Sequence, residues 1–113
     1  MPRYLISFND GDMTFPPEDL PQVTEDAHAV LREAKAAGVW VFGGGFMGYV
    51  STVVGVDGSV RPGPIAATDV YIGGMSIIDA PTLEDAHRWA GKIARACRCD
   101  QEVREFMDDP ESV

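Results

Sequence analysis

The stretch VWVFGGGFMGYVSTVV, residues 39 to 54, holds a literal G-x-G-x-x-G in Gly43, Gly45 and Gly48, directly after an apolar run of β-forming residues. In a dinucleotide-binding turn such glycines open a helix, and the N-terminus of that helix takes the pyrophosphate. Here Tyr49, Val50, Ser51, Thr52, Val53 and Val54 follow, and they read as strand. Asp69 imitates the acid found about twenty residues beyond a true fingerprint, but no helix stands between. The segment is therefore expected to join two strands, Val39 to Phe42 and Val50 to Val56, and no nucleotide or other cofactor is expected. A strand end lined by residues without a Cβ leaves room beside the backbone, so Gly43 and Gly45 are candidate pocket residues.

Toward the N-terminus, the apolar positions Val23, Ala27, Val30, Leu31 and Ala34 recur at threes and fours after Pro21, which predicts an amphipathic helix ending at Gly38. Before it, RYLISF alternates, with Tyr4, Ile6 and Phe8 on one face and Leu5 and Ser7 on the other, as a strand requires. Toward the C-terminus, Asp57-Gly58 signals a tight turn. Arg61 to Thr68 carries Pro62 and Pro64 and is expected to be a loop, since proline donates nothing to a ladder. Tyr71 to Ile78 reads as a strand in which Gly73 and Gly74 mark a bulge or a close backbone approach, a second pair of candidate pocket residues. Thr82 and Asp85 resemble a capping box opening a helix whose buried stripe is Leu83, Ala86, Ala90, Ile93, Ala94 and Cys97. EVREFM, residues 102 to 107, is expected to be a last strand, and the acidic tail 108–113 to fray.

The resulting order, β-α-β-β-(β)-α-β, is the α+β, ferredoxin-like split βαβ pattern: an antiparallel sheet with two helices on one face. Its other face stays uncovered, and strands as apolar as VWVF and YVSTVVGV make that face too greasy for an isolated chain. A homodimer closing sheet against sheet is the expected partnership.

Composition limits the alternatives. The chain has 113 residues, enough for one hydrophobic core, so residues 1–107 are read as a single domain. No apolar run approaches the roughly 18 residues a membrane helix needs. The N-terminus lacks the pattern of a secretory signal, which makes the cytoplasm the expected location. A net charge of -9 repels a phosphate backbone, so nucleic acid is not an expected partner. Arg88, Lys92, Arg95 and Arg98 recur at helical spacing behind Glu84 and Asp85 and read as a solvated helix face. Cys97 and Cys99 form C-x-C without a second ligand pair, so no metal site is expected and both thiols are read as free.

Three side chains are candidate catalytic groups. His28 lies on the shoulder of the first helix's apolar stripe, where an imidazole can serve as general base; its partner must come from Asp26 or Glu25, or from across the dimer. Asp69 and Tyr71 flank the entry to the glycine-bearing strand, and a carboxylate and a phenol there suit a small polar ligand. His87 and Trp89 read as packing residues.

The segments MPRYLISF, LREAKAAGVWVFGGG, VRPGPIAATDVYIGGMSIIDAPTLEDAHRWAGKIA and EVREF together resemble the YCII-related family, in its DGPF subgroup, over nearly the whole chain. Gly63-Pro64, Gly73-Gly74, Asp85-Ala86 and Trp89-Ala90 fall on that subgroup's signature. Pro62 and Ile65 stand where the subgroup has Asp and Phe, and Ala67 and Asp69 stand where Glu and Lys usually follow. The resemblance implies a dimeric α+β barrel of ferredoxin-like protomers. It also implies a catalytic pair whose histidine falls near His28, while the position of its acid holds Ala36. Two functions are consistent with this incomplete constellation: a small-molecule-binding or regulatory homodimeric module, and a proton-transfer enzyme of lyase, isomerase or hydrolase type with His28 as base.

Overall fold

The computed structural model describes residues 1–48, 50–65 and 70–113. Its elements run β1 (Arg3–Asn9), α1 (Leu20–Ala36), β2 (Trp40–Gly45), β3 (Thr52–Val54), β4 (Val60–Pro62), β5 (Ile72–Asp79), α2 (Leu83–Cys97) and β6 (Glu102–Glu105). The order across the main sheet is β2-β5-β1-β6, and each neighbouring pair is antiparallel. The fold is α+β and compatible with a ferredoxin-like arrangement.

Strand alternation divides the sheet into two chemically different faces. Tyr4 lies between Ile78 and Glu105, and Ile78 faces Trp40; in the next row Ile6 lies between Ser76 and Val103. Tyr4, Ile6 and Ile78 are fully buried and form one core with Ala80, Ala86 and Ala90, against which Trp40, Trp89, Ile93 and Val103 pack. This is the face that the helices cover. The buried stripe of α2 is made of small alanines, and aromatic bulk comes from Tyr4 and Trp40 on the strands and from Trp89 on α2.

The helix ends follow from their sequences. Thr82 Oγ1 accepts the Asp85 N–H at 3.1 Å and donates to the Asp85 carboxylate, the predicted cap of α2. Gly38 adopts a φ of +74°, and its N–H donates to Lys35 O as α1 closes. Between the helices, Arg98 bonds Asp26 at 2.8 Å and Lys92 bonds Glu33 at 2.9 Å. Two residues of the basic series, Lys92 and the C-cap Arg98, thus clasp α1, while Arg88 pairs with Asp85 on its own helix.

Three local expectations are corrected. First, β2 continues through Gly43, Gly44 and Gly45, which pair with Ser76, Met75 and Gly74, so these glycines are strand and not connection. At Gly43 a Cβ would stand 2.7 Å from the Trp40 ring and 2.8 Å from Met75 O, so only a bare backbone fits beneath the indole. Second, Val60–Pro62 is a strand paired with β3 in a separate two-stranded sheet. Proline is tolerated because Thr52 and Pro62 form a non-hydrogen-bonded pair: the flanking Gly63 N–H donates to Ser51 O, and the missing donor of Pro62 faces outward. The turn between β3 and β4 is the expected one, with Gly58 at φ +85° and Ser59 donating through N–H and hydroxyl to the Asp57 carboxylate. Third, the tail makes a 3-10 turn at Pro110–Ser112, capped when Asp109 Oδ1 accepts the Glu111 N–H.

The radius of gyration is 15.7 Å, above the roughly 13 Å of a compact chain of this length. Within the described residues, β3 and β4 pair only with each other, outside the main sheet. No helix among the described residues is long and apolar enough to cross a membrane.

Candidate functional site

The uncovered sheet face is built from the residues that alternate with the core. One row runs Arg104, Leu5, Ile77, Phe42, and the next runs Glu102, Ser7, Met75, Gly44. Leu5, Met75 and Ile77 are half-buried by their neighbours, while Phe42 is 61 % exposed. The Cα envelope measures only 18 Å in its shortest dimension, which accommodates one helix layer and one sheet.

Four of the candidate residues meet at one end of this sheet. Gly45 pairs with Gly74, the Phe46 N–H donates to Gly73 O at 3.0 Å, and the Asp10 N–H donates to Tyr71 O at 2.8 Å. Gly73 is the bulged residue, because Phe8 pairs with Gly74 and Asn9 with Ile72. Its Cβ position lies 2.8 Å from the Asp10 backbone, and that of Gly74 lies 2.6 Å from the Phe8 ring, so protein atoms already occupy both places. Gly45 is more open, with only Gly73 O at 3.9 Å, and nothing lies within 4 Å above Gly44. Gly43 sits farther into β2 beneath Trp40. Tyr71 is half-buried, and Asp69 lies outside the described residues.

His28 is exposed on α1. The two acids that sequence spacing offers it are engaged elsewhere: Asp26 accepts from Arg98 and from Gln22 Nε2 at 2.7 Å, and Glu25 accepts from Arg32 at 2.5 Å. The Arg98 guanidinium, helped by the Gln22 amide, holds the Asp26 carboxyl below its ordinary range, so it stays ionised and occupied. The His28 side chain makes no hydrogen bond to another described residue. His87 is likewise exposed.

The cysteines are free. Burial pushes the Cys97 thiol up, and burial, with Cys97, Asp12 and Asp100 nearby, pushes Cys99 up to about 11. Neither is a thiolate at neutral pH, so neither offers a nucleophile. Among the described residues, no group of three or more His, Cys, Asp or Glu is placed to hold a metal ion.

The opposite end of the sheet carries a feature that sequence reasoning missed. A broad cleft of about 910 Å³ has one wall made of Arg3, Val41, Ile77 and Asp79 from β1, β2 and β5, and another made of residues 105–110, 112 and 113. Across its floor Arg3 Nε and Nη2 donate to Asp79 at 2.8 and 3.1 Å. Alternation alone puts Arg3 and Asp79 on the face away from Tyr4, which was available as a signal. That the tail returns beside them was not.

The Arg3 hydrogen bonds hold the Asp79 carboxyl below its ordinary range. A depressed folded-state value stabilises the fold above the unfolded carboxylate value, and that contribution is lost as pH falls through the lowered one. Wild-type urea midpoints are therefore expected to fall more steeply below about pH 4 than those of Arg3→Met. Parallel acid limbs for the two proteins would show that the pair contributes nothing.

No family model and no curated protein matches the chain.

Proposed function

We propose that this chain is a YCII-related homodimer that closes the bare faces of two sheets on each other, as a dimeric α+β barrel, and holds a small molecule between them. The supporting observation is the row Leu5, Ile77, Phe42, which lies on the face away from the core that α1 and α2 cover, in a molecule two layers thick. An apolar sheet face of this kind is stabilised by a second copy of itself, because a two-fold axis supplies matching shape at no cost in new sequence. The glycine end, with open space above Gly44 and Tyr71 nearby, then borders the enclosed volume.

A binding or regulatory role suits this site better than proton transfer. His28 is exposed while Asp26 and Glu25 serve other partners, so a general base would need its acid from Asp69, Tyr71 or a second copy. Sedimentation equilibrium at micromolar concentration is expected to give the mass of two chains, and a thermal-shift screen of small acids and aromatics is expected to raise the melting point with at least one member. His28→Ala should leave that shift unchanged. A single copy in solution contradicts the dimer, and loss of the shift in His28→Ala favours the proton-transfer enzyme.

A further inference from the structure

Two features at opposite ends of the sheet remain unexplained by the facing of the two sheets alone. One is the β3–β4 hairpin, which leaves the sheet where β2 ends and β5 begins. The other is the cleft between the sheet and the tail, where β1 begins and β5 ends.

The hairpin has two unlike faces. Val54 and Val60 are directly opposed on one, each 65 % exposed, and Arg61 opposes Val53 on the other. The cleft has two unlike walls. Val41 and Ile77 supply apolar surface on the sheet side, and Asp108 and Asp109 supply carboxylates on the tail side. Charge separates them in the same sense. From Ala36 to Thr68 the only charged residues are Asp57 and Arg61, so this neutral segment can approach another copy of a chain whose net charge is -9 without the general repulsion.

We infer that the β3–β4 hairpin of one copy inserts into the sheet-to-tail cleft of a second copy, with Val54 and Val60 against Val41 and Ile77, and Arg61 toward Asp108 and Asp109. A two-fold axis lying between the stacked sheets and perpendicular to their strands reverses strand direction, so each hairpin end lies over the other copy's cleft. Both insertions are then satisfied by the same rotation, as an isologous interface requires. The cleft wall is continuous with the sheet face, since Ile77 belongs to both. This inference rests on the sheet-to-sheet dimer proposed above and adds to it a contribution from the partner: each cleft is completed by the other chain's valines and its Arg61.

Cysteine pairing tests the insertion separately from the dimer. Val60→Cys and Met107→Cys are made on separately tagged chains; both positions are exposed, so folding is undisturbed, and the native thiols stay protonated at neutral pH. After the chains are mixed and mildly oxidised, a covalent species of twice the chain mass is expected that carries both tags, and neither variant alone should give it. Arg61→Glu should raise the dimer dissociation constant about tenfold through like charge. A dimer by sedimentation with no mixed covalent species overturns the insertion and leaves the sheet contact standing. Covalent dimers from Val60→Cys alone, placing hairpin on hairpin, also overturn it, as does ring closure within one chain carrying both cysteines. A monomer at every concentration overturns insertion and sheet contact together.

Discussion

Phe42→Asp is expected to convert the proposed homodimer to a monomer without unfolding it. Phe42 faces Ile77 on the uncovered side of the sheet and is 61 % exposed in the protomer. Closing two sheets places its ring between them, where an aromatic side chain removes roughly 150–250 Å² from water. An aspartate in its place must either be buried without a partner or hold the faces apart. The first alternative costs about 3–5 kcal/mol per site, and symmetry imposes it twice. At a tenfold change for every 1.4 kcal/mol, the dissociation constant should rise by at least about a hundredfold. Within the protomer the substitution touches only solvent and the strand's own neighbours, so helix content by circular dichroism should be unchanged. Sedimentation velocity over a dilution series reads the association. A variant that stays dimeric at the wild-type dissociation constant would place the interface elsewhere on the molecule.

Gly73→Ala should lower stability through the backbone itself. The added methyl carbon would stand 2.8 Å from both Asp10 Cα and Asp10 N, and 3.1 Å from Asn9 C. No side chain can rotate to relieve these contacts, so the end of β1 must move away from β5. That motion strains the Asp10 N–H bond to Tyr71 O and the pairing of Asn9 with Ile72. Overpacking of this kind costs about 1–3 kcal/mol, and the upper half of that range is expected because the obstruction is main chain. Urea unfolding at fixed protein concentration gives the value. Gly44→Ala is the matched control in the protomer, since nothing lies within 4 Å of its added carbon. Equal midpoints for Gly73→Ala and wild type would mean that the bulge tolerates a side chain and is not a close approach.

The strands and helices of the main body were legible because their periodicities are strong and agree with their punctuation. Tyr4 and Ile6 alternate with Leu5 and Ser7, and that alternation alone separates the core face from the bare face. Thr82 with Asp85 and Gly38 mark helix ends through local hydrogen bonding and a positive φ, which need no knowledge of the rest of the chain. The glycine run was legible as not opening a helix, but not as strand. At Gly43 the Trp40 ring and Met75 O stand where a Cβ would, a close approach that local sequence does not show. Pro62 argued against a strand by composition, and its place in β4 depends on the phase of the ladder, which puts the absent donor on the outer side.

Sequence by itself determined the α+β class, the order of the elements of the main sheet and its two helices, the two faces of β1 and the absence of a helix behind the glycines, because each follows from local sterics and short-range periodicity. Only the tertiary structure decided which glycines touch backbone, that Asp26 and Glu25 are committed to Arg98 and Arg32 instead of His28, and that the tail returns to wall a cleft over Arg3 and Asp79. Those outcomes depend on residues far apart in the chain meeting in one register, and a side chain's partner is set by whichever charge or ring folding brings nearest.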